Sequence, residues 1–446
     1  MKARSPRDFT KELILCDFDG TITKEDVGYD FLNRFTRESW EDIDRDYVEG
    51  KIGSKEAYTR IAKLIVGTQQ EMVDFICSHS SLDDYFGEFY AFCRDKGADL
   101  KIVSDGFSLY INALLSHHNI SGIEHFANRI TFRDKDRMEI GFPFYNPDCG
   151  SCGNCKRKVL KSFRDRYDHI IFIGNGLSDR CIAEEADEVY AKGSLYSHCI
   201  ETGIACWNYD DFSDIRKNLS KNIRGIIFDL DGTLIDSARS IHESFNYTLK
   251  YFGHQPLQPD RLRVRFQNSI MNALKELVKP SEVNDAMKLL TEQYIQRVMS
   301  DPSLFSDVRG VISSLKDFGL VLGVATNMEG KYAKKILRQS KIEGYFTSVI
   351  GVDHSGRAKP NPDVIYHALR AMNLRGEDVV FVGDSTVDIE TGKNAEIDVY
   401  AVPTGFETKE RLSEKRPRRL LNRLEDLIMI VEGKSLPQKP PSWRQD

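Results

Sequence analysis

Three short stretches of this sequence occur twice, in the same order and at nearly equal intervals. "LILCDFDGTIT" (13–23) returns as "GIIFDLDGTLI" (225–235), "LKIVSDG" (100–106) as "VLGVATN" (321–327), and "HIIFIGNGLSD" (169–179) as "DVVFVGDSTVD" (378–388). Asp17 stands 87 residues before Ser104 and 158 before Asn175; Asp229 stands 97 before Thr326 and 155 before Asp384. Agreement of this kind marks the tandem duplication of a whole domain, since solenoid repeats recur at far shorter periods. A chain of 446 residues is too long for one ordinary core and suits two. Residues 1–220 and 221–432 are therefore expected to form one domain each, and the Pro-rich polar tail 433–446 to be disordered.

Each motif follows a short run of Ile, Val, Leu and Phe, as strands buried on both faces require. The stretches between them read as amphipathic helices, for example "EGKYAKKILRQS" (329–340). Strands alternating with helices predict an α/β fold: two Rossmann-like parallel sheets in tandem, with ligands gathering at the carboxyl ends of the strands. All three motifs sit at such ends, so three distant segments should converge on one crevice in each half. Residues 27–80 and 238–305 are too long for simple crossovers and read as helical caps inserted after the first strand of each half.

The composition, 41% hydrophobic and 29% charged, is that of a globular chain, and its formal net charge of −6 argues against nucleic-acid or anionic-membrane partners. No apolar run approaches the length of a membrane span, and the basic N-terminus lacks the apolar core of a secretion signal. All nine cysteines lie between Cys16 and Cys206. An odd count confined to half the chain speaks against a disulfide framework, so a reducing, cytoplasmic setting is expected.

The D-x-D-G-T stretches carry the chemistry. Asp17 and Asp229 are candidate nucleophiles toward phosphorus, forming an aspartyl-phosphate. Asp19 and Asp231 are candidates to protonate the leaving alcohol and then activate water. Gly20 and Gly232 permit the turn, and Thr21 and Thr233 support it beside the substrate. Ser104 and Thr326 end buried strands, where a hydroxyl with helix-start amides can hold a phosphoryl oxygen; plain helix capping is the bland alternative. A cation should offset the gathered negative charge. In the second half Lys359 of "AKPNPDVI" serves; in the first, "CKRKVLK" offers Lys156, Lys158 and Lys161. Asp384 and Asp388, with Asp229 and the carbonyl of Asp231, make an oxygen nest suited to Mg²⁺. The first half offers Asp17, the carbonyl of Asp19, Asn175 and Asp179 for the same ion. "CGSCGNC" sets Cys149, Cys152 and Cys155 at metal-ligand spacing, but zinc needs a fourth ligand; His169 is the candidate, and a cysteine-rich turn that positions Lys156 is the plainer reading.

These motifs resemble the haloacid dehalogenase superfamily of Mg²⁺-dependent phosphatases, in two copies covering nearly the whole chain. "CDFDGTITKED", "VSDGFSLYI", "CGNCKRKVL" and "GNGLSDRCIAEEAD" are similar to the phosphoserine-phosphatase-like branch, nearest to enzymes of methylthio-ketopentenyl phosphate and of phosphocholine or phosphoethanolamine. "FDLDGTLIDS", "ATN", "KPNP" and "GDSTVDIETGKNA" are similar to phosphoglycolate phosphatases. The resemblance selects Lys156 among the three lysines, and adds Asp105, Gly106 and Asn327 to the substrate side of the sites. It implies hydrolysis of small phosphorylated metabolites at two Mg²⁺ sites. Two departures stand out. Asn175 replaces a metal-binding Asp, so the first site is expected to be weakened, with a non-catalytic phosphate-ester sensor as the alternative. The second cap reads "RVRFQNSIMNAL" (263–274) where a glycine usually follows an apolar residue, so the cap leaves its substrate open. For the second half a phosphomutase is the rival within the enzyme class.

Overall fold

The computed structural model describes residues 9–134, 137–149, 152–266 and 270–432; the tail 433–446 and part of the departing cap stretch, 267–269, lie outside the described residues. The chain divides into two compact units between Ser220 and Lys221.

In the first unit, strands β1 (Glu12–Cys16), β2 (Asp99–Phe107), β3 (Glu124–Asp134), β4 (Arg137–Gly141), β5 (His169–Gly174), β6 (Glu188–Ala191) and β7 (Trp207–Asn208) lie in the order β7-β6-β5-β1-β2-β3-β4. All neighbours are parallel except β3 and β4, which form an antiparallel pair. In the second unit, β8 (Gly225–Phe228), β9 (Val321–Ala325), β10 (Phe346–Ile350), β11 (Val379–Gly383), β12 (Asp398–Ala401) and β13 (Arg419–Leu420) are wholly parallel, in the order β10-β9-β8-β11-β12-β13. Laid over one another the two orders coincide, with β4 as the first unit's addition. Every residue of β1, β8 and β11 is buried, which explains their unbroken apolar sequences: helices cover both faces.

The central strand of each sheet sets the register. Cys16 pairs with Ile102 on one side and Ile173 on the other; Phe228 pairs with Val324 and Val382. One residue past Cys16 comes Asp17, and two past its partners come Ser104 and Asn175. The same offsets from Phe228, Val324 and Val382 give Asp229, Thr326 and Asp384. Each trio therefore leaves the sheet together at its carboxyl edge, where the strand order reverses and ligands bind.

A helical cap follows the first strand of each unit. In the first it comprises Val27–Phe35, Glu41–Val48, Ser54–Ile61 and Gln69–His79; in the second, Ala238–Tyr251, Pro259–Phe266, Ile270–Leu277 and Val283–Ser300. Local signals start several of these helices: Asp26 accepts from the Tyr29 amide, and Thr68 with Glu71 forms a capping box. The second cap has its own core, in which Phe245, Leu249, Leu262, Phe266, Leu274 and Leu290 are buried together. No helix among the described residues is long and apolar enough to cross a membrane.

Because the rings of Phe245 and Phe266 meet edge-on with centroids 5.0 Å apart, Phe245→Ala should open a cavity costing about 3–5 kcal/mol. Hydrogen exchange should show faster opening across 238–300 while β8, β9 and β11 stay protected; a uniform rise over the whole unit would contradict a separate cap core.

Candidate active sites

Asp17 is buried directly after β1, its amide donating to the Ile173 carbonyl at 2.9 Å. Lys156, buried at the start of helix Lys156–Lys161, donates to Asp17 Oδ1 at 2.6 Å and to Asp179 Oδ1 at 2.5 Å. The second unit repeats this bridge. Lys359 donates to Asp229 Oδ1 at 2.5 Å and to Asp388 Oδ1 at 2.6 Å. Lys158 and Lys161 do not take part: Lys158 reaches the Tyr145 carbonyl and Lys161 pairs with Glu185 at the surface.

The other oxygen of each distal carboxylate is held by the turn after the strand. Asp179 Oδ2 accepts from the amides of Asn175 and Gly176 at 3.0 and 2.9 Å; Asp388 Oδ2 accepts from the Ser385 amide and hydroxyl at 3.2 and 2.5 Å. Thr21 donates to Asn175 Oδ1 at 3.1 Å as Thr233 donates to Asp384 Oδ1 at 2.8 Å, so the threonine of each D-x-D-G-T motif orients the residue after the third strand. The motif glycines leave no alternative residue. Gly20 and Gly232 have φ of +65° and +87°, and a Cβ would come within 2.5 Å of Asn175 Nδ2 and 2.3 Å of Asp384 Oδ2.

Asp19 accepts from the Gly28 amide at 3.1 Å, from Ser104 Oγ at 3.2 Å and from Tyr110 Oη at 2.8 Å. Gly106 makes room for that tyrosine, since a Cβ there would overlap Tyr110 Oη. Asp231 accepts instead from Tyr294, on the cap helix Val283–Ser300. Neither tyrosine stood out in the sequence, where each reads as one more aromatic on an amphipathic helix. Ser104 Oγ also accepts from the Gly106 amide at 2.9 Å, and Thr326 Oγ1 from the Met328 amide at 3.1 Å, so both hydroxyls support the turn they begin. Asp105 and Asn327 hold the lysine loops: Asp105 Oδ1 accepts from the Asn154 amide at 2.8 Å, and Asn327 Oδ1 from the Lys359 amide at 2.7 Å. Asp105 Oδ1 also accepts from Asn128 Nδ2 at 3.2 Å, so the same carboxylate ties the lysine loop to β3. His169 opens β5 at the opposite end of the sheet, beside Glu188 at 3.1 Å; it is too remote to complete a metal site with Cys149, Cys152 and Cys155.

Charge distinguishes the two crevices. Carboxylate oxygens of Asp229, Asp384 and Asp388 all lie within 4.8 Å of one another, the one such group among the described residues. Three buried carboxylates against one lysine leave an excess of negative charge that favours a divalent cation, and an all-oxygen donor set fits a hard one. Desolvation, with Asp388 and Asp229 nearby, pushes the Asp384 carboxyl well above its usual range; desolvation raises Asp229 to about 7 and Asp231 to about 6. In the first crevice Asn175 removes one of those charges. Asp17 is still pushed up, chiefly by burial and then by Asp179, while burial raises Asp19 to about 7.

A carboxyl whose folded pKa is raised retains its proton to higher pH than the unfolded chain does, so its stabilising contribution is complete below about pH 4 and is lost as pH rises toward 7. The stability difference between metal-free Asp229→Asn and the parent chain should therefore shift in favour of the variant as pH rises from about 4 to about 7, whatever the pH-independent cost of losing a partner of Lys359, as followed by urea unfolding in chelator. A gap independent of pH would show that Asp229 titrates normally.

Residues 12–191 match a family model described as "Putative Phosphatase", and residues 226–402 a model described as "Haloacid dehalogenase-like hydrolase". Among curated relatives, phosphoglycolate phosphatase of Aquifex aeolicus is 29% identical over 211 residues, covering 47% of this chain and 98% of its own. The 2-hydroxy-3-keto-5-methylthiopentenyl-1-phosphate phosphatase of Brevibacillus brevis is 27% identical, covering 48% of this chain and 97% of its own. Pyrophosphatase PpaX of Listeria monocytogenes is 31% identical over 223 residues, covering 48% of this chain and 98% of its own. Each accounts for about half of the sequence, as a duplication requires. The chain belongs to the haloacid dehalogenase-like hydrolases, and it carries their fold twice.

Proposed function

We propose that both units hydrolyse small phosphate monoesters through an aspartyl-phosphate, and that Mg²⁺ assists at each site. The observation that carries this reading is the repeated buried bridge from one lysine to the first Asp of D-x-D-G-T and to a distal Asp. Asp17 or Asp229 attacks phosphorus through a carboxylate oxygen, and the bond from phosphorus to the ester oxygen breaks. Asp19 or Asp231 delivers its proton to the departing alkoxide, then accepts one from the water that cleaves the acyl phosphate. A group titrating near 6–7 is well matched to that double duty at neutral pH. Ser104 or Thr326 and the helix-start amides face the phosphoryl oxygens. Lys156 or Lys359 holds the nucleophile in place and offsets its charge. When bound, Mg²⁺ supplies positive charge to the phosphoryl oxygens; Asp229, Asp384, Asp388 and the Asp231 carbonyl would hold it in the second unit, and Asp17, the Asp19 carbonyl, Asn175 and Asp179 in the first. The relatives support methylthio-ketopentenyl-phosphate-like substrates for the first unit and phosphoglycolate-like substrates for the second, each chosen by its cap.

Asn175 favours a second reading of the first unit, as a weakened site or a sensor. Its amide keeps a carbonyl oxygen but lacks the charge that gives a carboxylate its grip. Asn175→Asp should lower the Mg²⁺ requirement of first-unit hydrolysis by about 10–100-fold, the range typical of altered metal surroundings. An unchanged requirement excludes Asn175 as a ligand, and turnover by the variant alone makes the natural site a sensor. Asp229→Asn should abolish second-unit turnover and spare the first; hydrolysis surviving in the Asp17→Asn, Asp229→Asn double variant would overturn the nucleophile assignment. We also take 1–220 and 221–432 to be the two domains. Each fragment expressed alone should unfold cooperatively, and insolubility of both would refute the boundary.

A further inference from the structure

We propose that Phe406 is a positioning residue through which the cap of the second unit acts on Asp384. Resting on the reading of Asp384 as a Mg²⁺ ligand, this coupling makes seating of the cap and binding of Mg²⁺ favour each other. Phe406 lies in the loop between β12 and helix Lys409–Glu414. Its half-buried ring meets Phe266 edge-on, with centroids 5.1 Å apart, and packs on the cap core. Every other described apolar residue of that core lies between Ile241 and Tyr294. Phe406 is the one that the sheet domain sends into it.

The backbone on either side of Phe406 is built into the crevice. A Cβ on Gly405 would overlap Asp384 Oδ2, so the chain passes directly against that carboxylate, and only glycine allows the approach. Thr233 holds the other oxygen, Oδ1, while Gly232 and Gly405 flank Oδ2. Thr404 Oγ1 donates to the Gly232 carbonyl at 2.6 Å, joining the loop to the D-x-D-G-T turn. Glu407 accepts from the amide and hydroxyl of Thr386 at 3.2 and 3.0 Å, where the helix that carries Asp388 begins. Residues 404, 405 and 407 therefore face the crevice, and Phe406 between them faces the cap. Neighbouring Cα atoms are held about 3.8 Å apart, so a shift of the ring against the cap core reaches Gly405 with little slack.

Tyr294 packs on the same cap core and aims Asp231. A seated cap thus bears on two carboxylates, Asp231 through Tyr294 and Asp384 through Phe406 and Gly405. The first unit is wired differently. After β6 the Lys192 amide donates to the Gly174 carbonyl at 3.2 Å, as the Val402 amide does to Gly383 at 2.9 Å, but the chain then enters helix Gly193–Thr202 at once. Its cap is tied to the lysine loop instead, where the Gly153 amide donates to Ser54 Oγ at 2.8 Å. The cap bears on the lysine side of the crevice in the first unit and on the Asp384 side in the second.

The test uses the full metal-free chain, titrated with Mg²⁺ alone and followed by hydrogen exchange. In the parent, Mg²⁺ should protect peptides spanning β11 and Asp388 and, over the same concentrations, the cap stretch 238–300. Phe406→Ala should raise the Mg²⁺ midpoint read at β11 by at least about 5-fold and abolish the response of the cap, with exchange in the first unit unchanged. Phe266→Ala should do the same, and the double variant should be no worse than either single one, since each removes the same contact. Phe406→Leu, which keeps apolar bulk, should recover most of the parent midpoint. An unchanged midpoint in Phe406→Ala, or in Phe266→Ala should Phe406→Ala not fold, would overturn the coupling and leave the metal reading standing. So would protection of β11 in the parent with no response of the cap. Absence of any Mg²⁺ protection at β11 would overturn both.

Discussion

A lysine ammonium group buried between two carboxylates is the constraint on which each unit turns. Burial alone would favour neutral lysine; the adjacent Asp pair outweighs it, and both Lys156 and Lys359 are pushed above their usual range. A charge removed from water to this degree is tolerated only with close, well-directed partners, and losing one partner is far costlier than the net gain of the pair. The three groups come from three separate segments: the end of the first strand, the turn after β5 or β11, and the loop that delivers the lysine. Sheet register, the threonine and glycine of D-x-D-G-T, and the capping turns of Asp179 and Asp388 all act to hold those segments within hydrogen-bond distance.

Much of this was legible in the sequence, for a physical reason. Strands buried on both faces are continuous apolar runs, and polar residues appear where the strand leaves the sheet. That is why Asp17, Ser104 and Asn175, and their counterparts in the second unit, could be picked out together. The bonds by which Asp105 and Asn327 hold the lysine loops were not legible, because a polar residue beside a crevice carries no mark of which loop amide it accepts from. Tyr110 and Tyr294 were invisible because an aromatic on a helix carries no mark of where its hydroxyl ends.

The two units also show how one bridge can be secured in different ways. In the first, the loop before Lys156 is tied down at many points: the Gly153 amide donates to Ser54 on the cap at 2.8 Å, and Asn154 donates to Asp105, to the Ser104 carbonyl and to the Phe126 carbonyl. In the second, Asn327 and a short proline-containing turn suffice. The longer and more elaborate loop follows the extra strand β4, so the added hairpin and the added tethers belong together.

The two tyrosines differ in where they are mounted. Tyr110 stands on the helix Ser108–His117, which leaves β2 within the sheet domain itself; Tyr294 stands on the cap. In the first unit the hydroxyl that aims Asp19 is thus part of the same rigid body as Asp19. In the second, the hydroxyl that aims Asp231 depends on how the cap is seated. On the proposed mechanism, a compound small enough to let the cap seat would find its proton donor already oriented, whereas a bulkier one that propped the cap open would find the nucleophile but a misdirected acid. If Asp231 is the acid proposed above, selection in the second unit acts on turnover as well as on binding, with molecular size read through the position of a single phenol.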